Sequence, residues 1–310
     1  MAALIVIVPI FALILAGWLT RRLGVIGAQG MTELNRFVVW LSLPALLFDL
    51  TAHARLAEVW QPGFVLAFGA SVVGVFVLTI LLRVRRRPLA DAALDGLGAA
   101  YGNVAFMGFP VMTAVLGPPG LMAATIATLI VVCMLFAAAV ALIETGLQAE
   151  ARLHHLALKV GKALLRNPLV VAPLLGGAAA VAGLAIPDPL EKALKMLGGT
   201  ASPCALITIG LFLGGKTASA SNKGENGSIA LLVVLKLIVQ PLIALALAKA
   251  LDLPVVLTRG AVLLAAMPTG TGPFMLAEFY RREVSVTSKT ILISTIASAA
   301  TLSACIAMVY

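Results

Sequence analysis

From one end to the other, the chain alternates long apolar stretches with short polar ones. Ten stretches of about 20 residues stand out, near 3–20, 33–51, 62–82, 91–114, 119–144, 168–186, 194–215, 229–250, 258–279 and 286–309. A helix rises about 1.5 Å per residue, so each can cross the roughly 30 Å of hydrocarbon in a bilayer. Barrel strands would alternate apolar and polar over about 10 residues, and these stretches do not. The pattern predicts an all-α integral membrane protein with ten transmembrane helices. The first stretch reads as a retained span, because no Lys or Arg precedes it while Arg21 and Arg22 follow.

Two of the ten stretches are interrupted near their middle. The fourth contains YGNVAFMGFP at 101–110, and the ninth contains MPTGTGPF at 267–274. Glycine weakens a helix, and proline removes a donor and turns the preceding residue away from the α region. Unwound backbone at membrane depth survives only where protein or a watered cavity satisfies it, so the two breaks are expected to meet and line a site. Pro110 and Pro273 suit the start of the half-helix that follows each break, where no N–H is needed. Two half-helix N-termini, each worth about half a positive charge, would favour an anion.

Prolines also repeat between the halves. Pro9 and Pro168 lie 159 residues apart, Pro44 and Pro203 also 159, and Pro110 and Pro268 158. The offsets predict a duplication, with a first five-helix repeat at 1–146, a linker at 147–167 and a second repeat at 168–310. An odd number of spans per unit makes the second copy enter the membrane from the other side, giving the inverted repeat common in secondary transporters.

Composition narrows the class. Hydrophobic residues are 61% and charged residues 11% of the 310, against roughly 25% charged in a soluble domain, which excludes soluble enzymes and nucleic-acid modules. The net charge of +9 lies in short clusters between apolar stretches, with no basic helix face, so no nucleic-acid partner is expected. Sixteen cations fall on one set of connections and five on the other, which places both termini outside a bacterial inner membrane. The linker sequence LHHLALKVGKALLRNP reads equally as an amphipathic surface helix or a solvated connection. Cys133, Cys204 and Cys305 are isolated, so neither a metal nor a disulfide is expected, and no cofactor is called for.

The candidate substrate-binding residues lie mostly in the breaks: Asn103, Phe106 and Pro110 in the first, and Pro268, Thr269, Gly270, Thr271 and Pro273 in the second. Asn103 can donate and accept, and the threonine hydroxyls either join it or bond back to their own helix. Lys236 lies inside the eighth span, where it reads either as an anion contact or as a snorkelling lysine, with Gln240 one turn on along the same face. Asp49, Asp91, Asp95, Glu144 and Glu278 lie at span ends, where proton carriers and plain solvated or dipole-neutralising carboxylates look alike.

Five stretches carry a family resemblance: LNRFVVWLSLPALLF at 34–48, YGNVAFMGFPV at 101–111, LRNPLVVAPLLG at 165–176, ASPCALITIGLFLGG at 201–215 and AAMPTGTGPFMLAEFY at 265–280. Together they resemble the auxin efflux carrier family of the bile acid, auxin and arsenite transporter superfamily, which includes bacterial carriers of small carboxylates. The resemblance implies ten spans in two inverted bundles of five, with helices 4 and 9 broken and crossing at the substrate site. Asn103 and Pro110 match its first crossover motif, and Pro268 with Thr269 its second. Pro273 and the glycine-rich second break depart from it.

The expected function is secondary active transport, by elevator or rocking alternating access, of a small mono- or dicarboxylate. A sodium-coupled symporter of the bile acid type and a non-transporting sensor or channel are the alternatives. The first is weakened because neither break holds an Asp or Glu. An intramembrane enzyme is not expected, since HExxH is absent and the histidines lie outside the spans. A coupling proton or sodium ion, and a second copy in a homodimer, stay open.

Overall fold

The computed structural model describes residues 2–53, 61–147, 162, 165–215 and 223–309. Most of the 147–167 linker, with His154 and His155, lies outside them. The described chain is helical: α1 (Ala2–Arg22), α2 (Ala28–Ala52), α3 (Pro62–Arg83), α4 (Leu89–Ala100), α5 (Phe109–Leu116), α6 (Met122–Leu147), α7 (Pro168–Val181), α8 (Asp188–Gly214), α9 (Glu225–Ala250), α10 (Val255–Ala265), α11 (Gly272–Tyr280) and α12 (Val284–Val309). Six of these, α2, α3, α6, α8, α9 and α12, are long and apolar enough to cross a bilayer, and α7 and α10 are shorter apolar helices. The molecule is an all-α, multi-pass membrane protein.

Not every proline breaks its helix. Pro44, Pro110 and Pro241 each follow a short π-helical segment, at Val38–Ser42, Val104–Gly108 and Leu235–Val239 respectively. Proline has no N–H and its ring crowds the carbonyl four residues back, so widening the preceding turn lets the helix continue through it. α2 and α9 therefore stay continuous.

α1 lies along α8, and α2 lies along α7. Both contacts depend on glycine: a Cβ on Gly17 would collide with the Ile207 carbonyl oxygen, and one on Gly176 with the Phe48 carbonyl oxygen. Small residues let membrane helices approach to backbone contact. Gly17 and Gly176 are 159 residues apart, as are Phe48 and Ile207. Ser42 and Thr200 join across this layer at 2.7 Å.

The other elements form a second body. α3 packs on α4 and α9, α6 on α4, and α9 on α10. At one end it is laced by ion pairs: Arg83 to Asp95 at 2.7 Å, Arg87 to Glu283 at 2.6 Å, Arg282 to Asp91 at 2.5 and 2.9 Å, and Lys289 to Glu225 at 3.1 Å. The hydrogen bonds from Arg282 to Asp91 raise that guanidinium's pKa above its ordinary value. Asp91 and Asp95 are thus neither solvated nor simple dipole partners; they are buried against arginines.

Candidate crossover site

α4 stops at Ala100 because Tyr101 turns to extended backbone (φ −78°, ψ 94°), and α10 stops at Ala265 ahead of Pro268. The released strands meet as an antiparallel bridge between Gly102 and Thr269. Asn103 N–H donates to the Pro268 carbonyl at 2.7 Å, and Gly270 N–H donates to the Tyr101 carbonyl at 2.9 Å. Each break satisfies the backbone of the other, which is the condition for unwound chain at membrane depth.

The bridge also sets a register. Gly102 and Thr269 lie 167 residues apart, and Pro88 and Pro254, which precede α4 and α10, lie 166 apart. Pro268 therefore faces the Tyr101–Asn103 strand. Pro110 does not open its half-helix: helical geometry resumes at Val104, six residues earlier. Pro273, by contrast, sits in the first turn of α11 as expected. The side chains of Phe106 and Pro110 lie outside the described residues.

The glycines of the second break make room for an aromatic ring. A Cβ on Gly270 would stand 2.8 Å, and one on Gly272 2.6 Å, from Tyr101 ring atoms. Tyr101 in turn packs edge-on to Phe136, with centroids 6.0 Å apart.

On one side of the crossover lies a small cavity lined by Tyr101, Gly102, Asn103, Ala105, Thr271 and Gly272, and closed by Leu43 and Leu46 of α2 and Val132 of α6. The half-helices that begin at Val104 and Gly272 start at this cavity, so their first N–H groups lie beside it. Asn103 and Thr271 are 6% and 5% exposed, and among the described residues neither makes a side-chain hydrogen bond. Thr269 differs: its hydroxyl donates to the Gly98 carbonyl at 2.9 Å and its N–H to Ser294 Oγ at 3.1 Å, so it ties the break together.

Lys236 does not snorkel to an interface. It is fully buried and does not line the cavity. Its Nζ donates to Gln240 Oε1 at 2.6 Å and to the Ala265 carbonyl at 2.7 Å, while Gln240 Nε2 donates to the Ala100 carbonyl at 3.4 Å. One turn of α9 thereby caps the C-terminal ends of both α4 and α10. Half-helix N-termini lie beside the cavity, while the C-terminal end of α10 meets the Lys236 amino group and that of α4 the Gln240 amide. Sequence reasoning placed Gln240 on the Lys236 face, but missed its partner and missed Tyr101. The aromatic-glycine pairing of YG with GTG was the available signal for Tyr101.

A family model described as "Membrane transport protein" matches residues 2–306. The chain is 32% identical over 304 residues to a protein of Rhizobium meliloti (strain 1021) described as "Putative malonate transporter", covering 95% of this chain and 92% of that one. It is 25% identical over 279 residues to "Uncharacterized transporter YfdV" of Escherichia coli (strain K12), covering 87% and 86%. To "Auxin efflux carrier component 8" of Arabidopsis thaliana it is 27% identical over 135 residues, covering 42% of this chain and 36% of that one.

Proposed function

The chain belongs to the membrane transport protein family, a family of transporters rather than enzymes, and from that premise we propose that it carries a small carboxylate bound at the crossover. The observation that supports this most is the pair of polar side chains, Asn103 and Thr271, that have no side-chain hydrogen bond among the described residues and lie beside two half-helix N-termini in one small cavity. Asn103 offers an amide donor, Thr271 a hydroxyl, and the N–H groups that open the two half-helices offer further donors. All of these suit a carboxylate oxygen, and the dipoles favour its charge. The relative described as a malonate transporter makes malonate the first substrate to try.

The mechanism proposed is alternating access by two inverted five-helix repeats, 1–146 and 168–310, with α4–α5 and α10–α11 as their broken helices. The glycine contacts, Gly17 on Ile207 and Gly176 on Phe48, support the duplication. The cavity lies where the crossover body meets α2, so sliding or rocking that body against the layer of α1, α2, α7 and α8 would open it to either side. Ion pairs at its end would keep the moving body rigid.

Uptake of labelled malonate by purified protein in liposomes tests the reading. Expected are saturable uptake, competition by other small mono- or dicarboxylates, and none by the neutral diamide. Equal competition by the diamide, or no uptake of any carboxylate, refutes it.

A further inference from the structure

In transporters with broken helices, unwound carbonyls and half-helix C-terminal ends are the groups that hold a coupling cation, because each C-terminal end carries about half a negative charge. Here two such ends, at Ala100 and Ala265, converge on one turn of α9. Both described partners of Lys236 Nζ, Gln240 Oε1 and the Ala265 carbonyl, are acceptors, as an ammonium with donors only requires. Gly102 of the bridge lets the ammonium come close: a Cβ there would stand 3.3 Å from Nζ. Lys236 is 0% exposed, and neither break supplies a carboxylate that a metal cation would want.

We propose that the Lys236 ammonium is a tethered cation standing where a coupling sodium ion would otherwise bind, so that the crossover is assembled and binds its anion without sodium or potassium. The inference deepens the carboxylate-transport reading in its second half only. The first half concerns the ligand-free protein and can be tested without any substrate.

The ligand-free arm measures thermal unfolding of the purified protein in sodium, potassium and choline chloride at equal ionic strength. The parent is expected to unfold at the same temperature in all three. Lys236→Ala is expected to unfold several degrees lower in choline and to recover part of the loss with methylammonium, which can re-enter the vacated place, whereas choline is too large. If Lys236→Ala cannot be recovered from the membrane, Lys236→Gln is compared in sodium and choline, with stabilisation by sodium expected. A parent specifically stabilised by sodium, or variants indifferent to every small cation, overturns the proposal.

The second arm titrates malonate in the same salts. Affinities within about twofold of one another are expected for the parent, and tenfold weakening on replacing sodium by choline overturns cation independence. Failure of malonate to bind in any salt counts against the carboxylate reading and leaves the outcome of the ligand-free arm standing.

Discussion

At the scale of single residues, the crossover separates polar groups that build from polar groups that wait. Thr269 is spent on Gly98 and Ser294, while Asn103 and Thr271 line the cavity without a side-chain partner among the described residues. Asn103→Ala should therefore weaken carboxylate binding with little change in unfolding temperature. One hydrogen bond to a charged group is worth about 1.5–3 kcal/mol, or roughly tenfold to a hundredfold in Kd, readable by calorimetric titration. Thr269→Val should do the reverse, lowering stability by about 1–3 kcal/mol because the Gly98 carbonyl loses its donor in a dry site. Gly272→Ala should cost about 1–3 kcal/mol through its collision with Tyr101, and thermal unfolding of Gly272→Ala with Tyr101→Leu should show much of it restored.

At the scale of elements, what matters is which ends are tied and which helices run through. α3 and α4 are held by Arg83 against Asp95, whose side chain is 1% exposed. Asp95→Ala leaves a largely buried guanidinium without its carboxylate, at a cost of about 3–5 kcal/mol, so a marked drop in unfolding temperature is expected. The double variant Asp95→Ala with Arg83→Met should recover most of that drop, because neither charge is then stranded, and a double-mutant cycle measures the coupling. Prolines were the least legible signals at this scale. Pro44 and Pro241 sit in unbroken helices because π turns precede them, whereas Pro268 lies in a break. The residue type is the same in all three places, and the neighbours that accept the released backbone groups are not.

At the scale of the whole molecule, the chain forms a helix layer of α1, α2, α7 and α8 beside a body that carries the crossover. The cation count predicts that the Arg85 end faces inward and the His53 end outward. At the His53 end, His53 lies 3.1 Å from Asp49 and 3.6 Å from Glu191, joining α2 to α8. Single cysteines at His53 and Arg85, in a background lacking Cys133, Cys204 and Cys305, should label with an impermeant maleimide on intact cells at His53 only. Labelling at Arg85 alone would reverse the orientation.

The sequence by itself determined the membrane class, the approximate extent of the apolar helices and the place of both breaks. These follow from a local rule: in lipid, a segment must satisfy its own backbone, so length, apolarity and Gly/Pro interruptions speak for themselves. The tertiary structure alone decided what replaces that self-sufficiency where it fails. Asn103 N–H donates to the Pro268 carbonyl across 165 residues of sequence, and Lys236 and Gln240 reach the ends of helices that begin at Val255 and Leu89. Spacing along the chain could not fix these pairings, since the glycine contacts of α1 and α7 lie 159 residues apart and the bridged residues 167. A buried lysine therefore read as an anion contact or a snorkel until its acceptors were in view: its role depends on the two helix ends it meets, and those ends come together only in the folded chain.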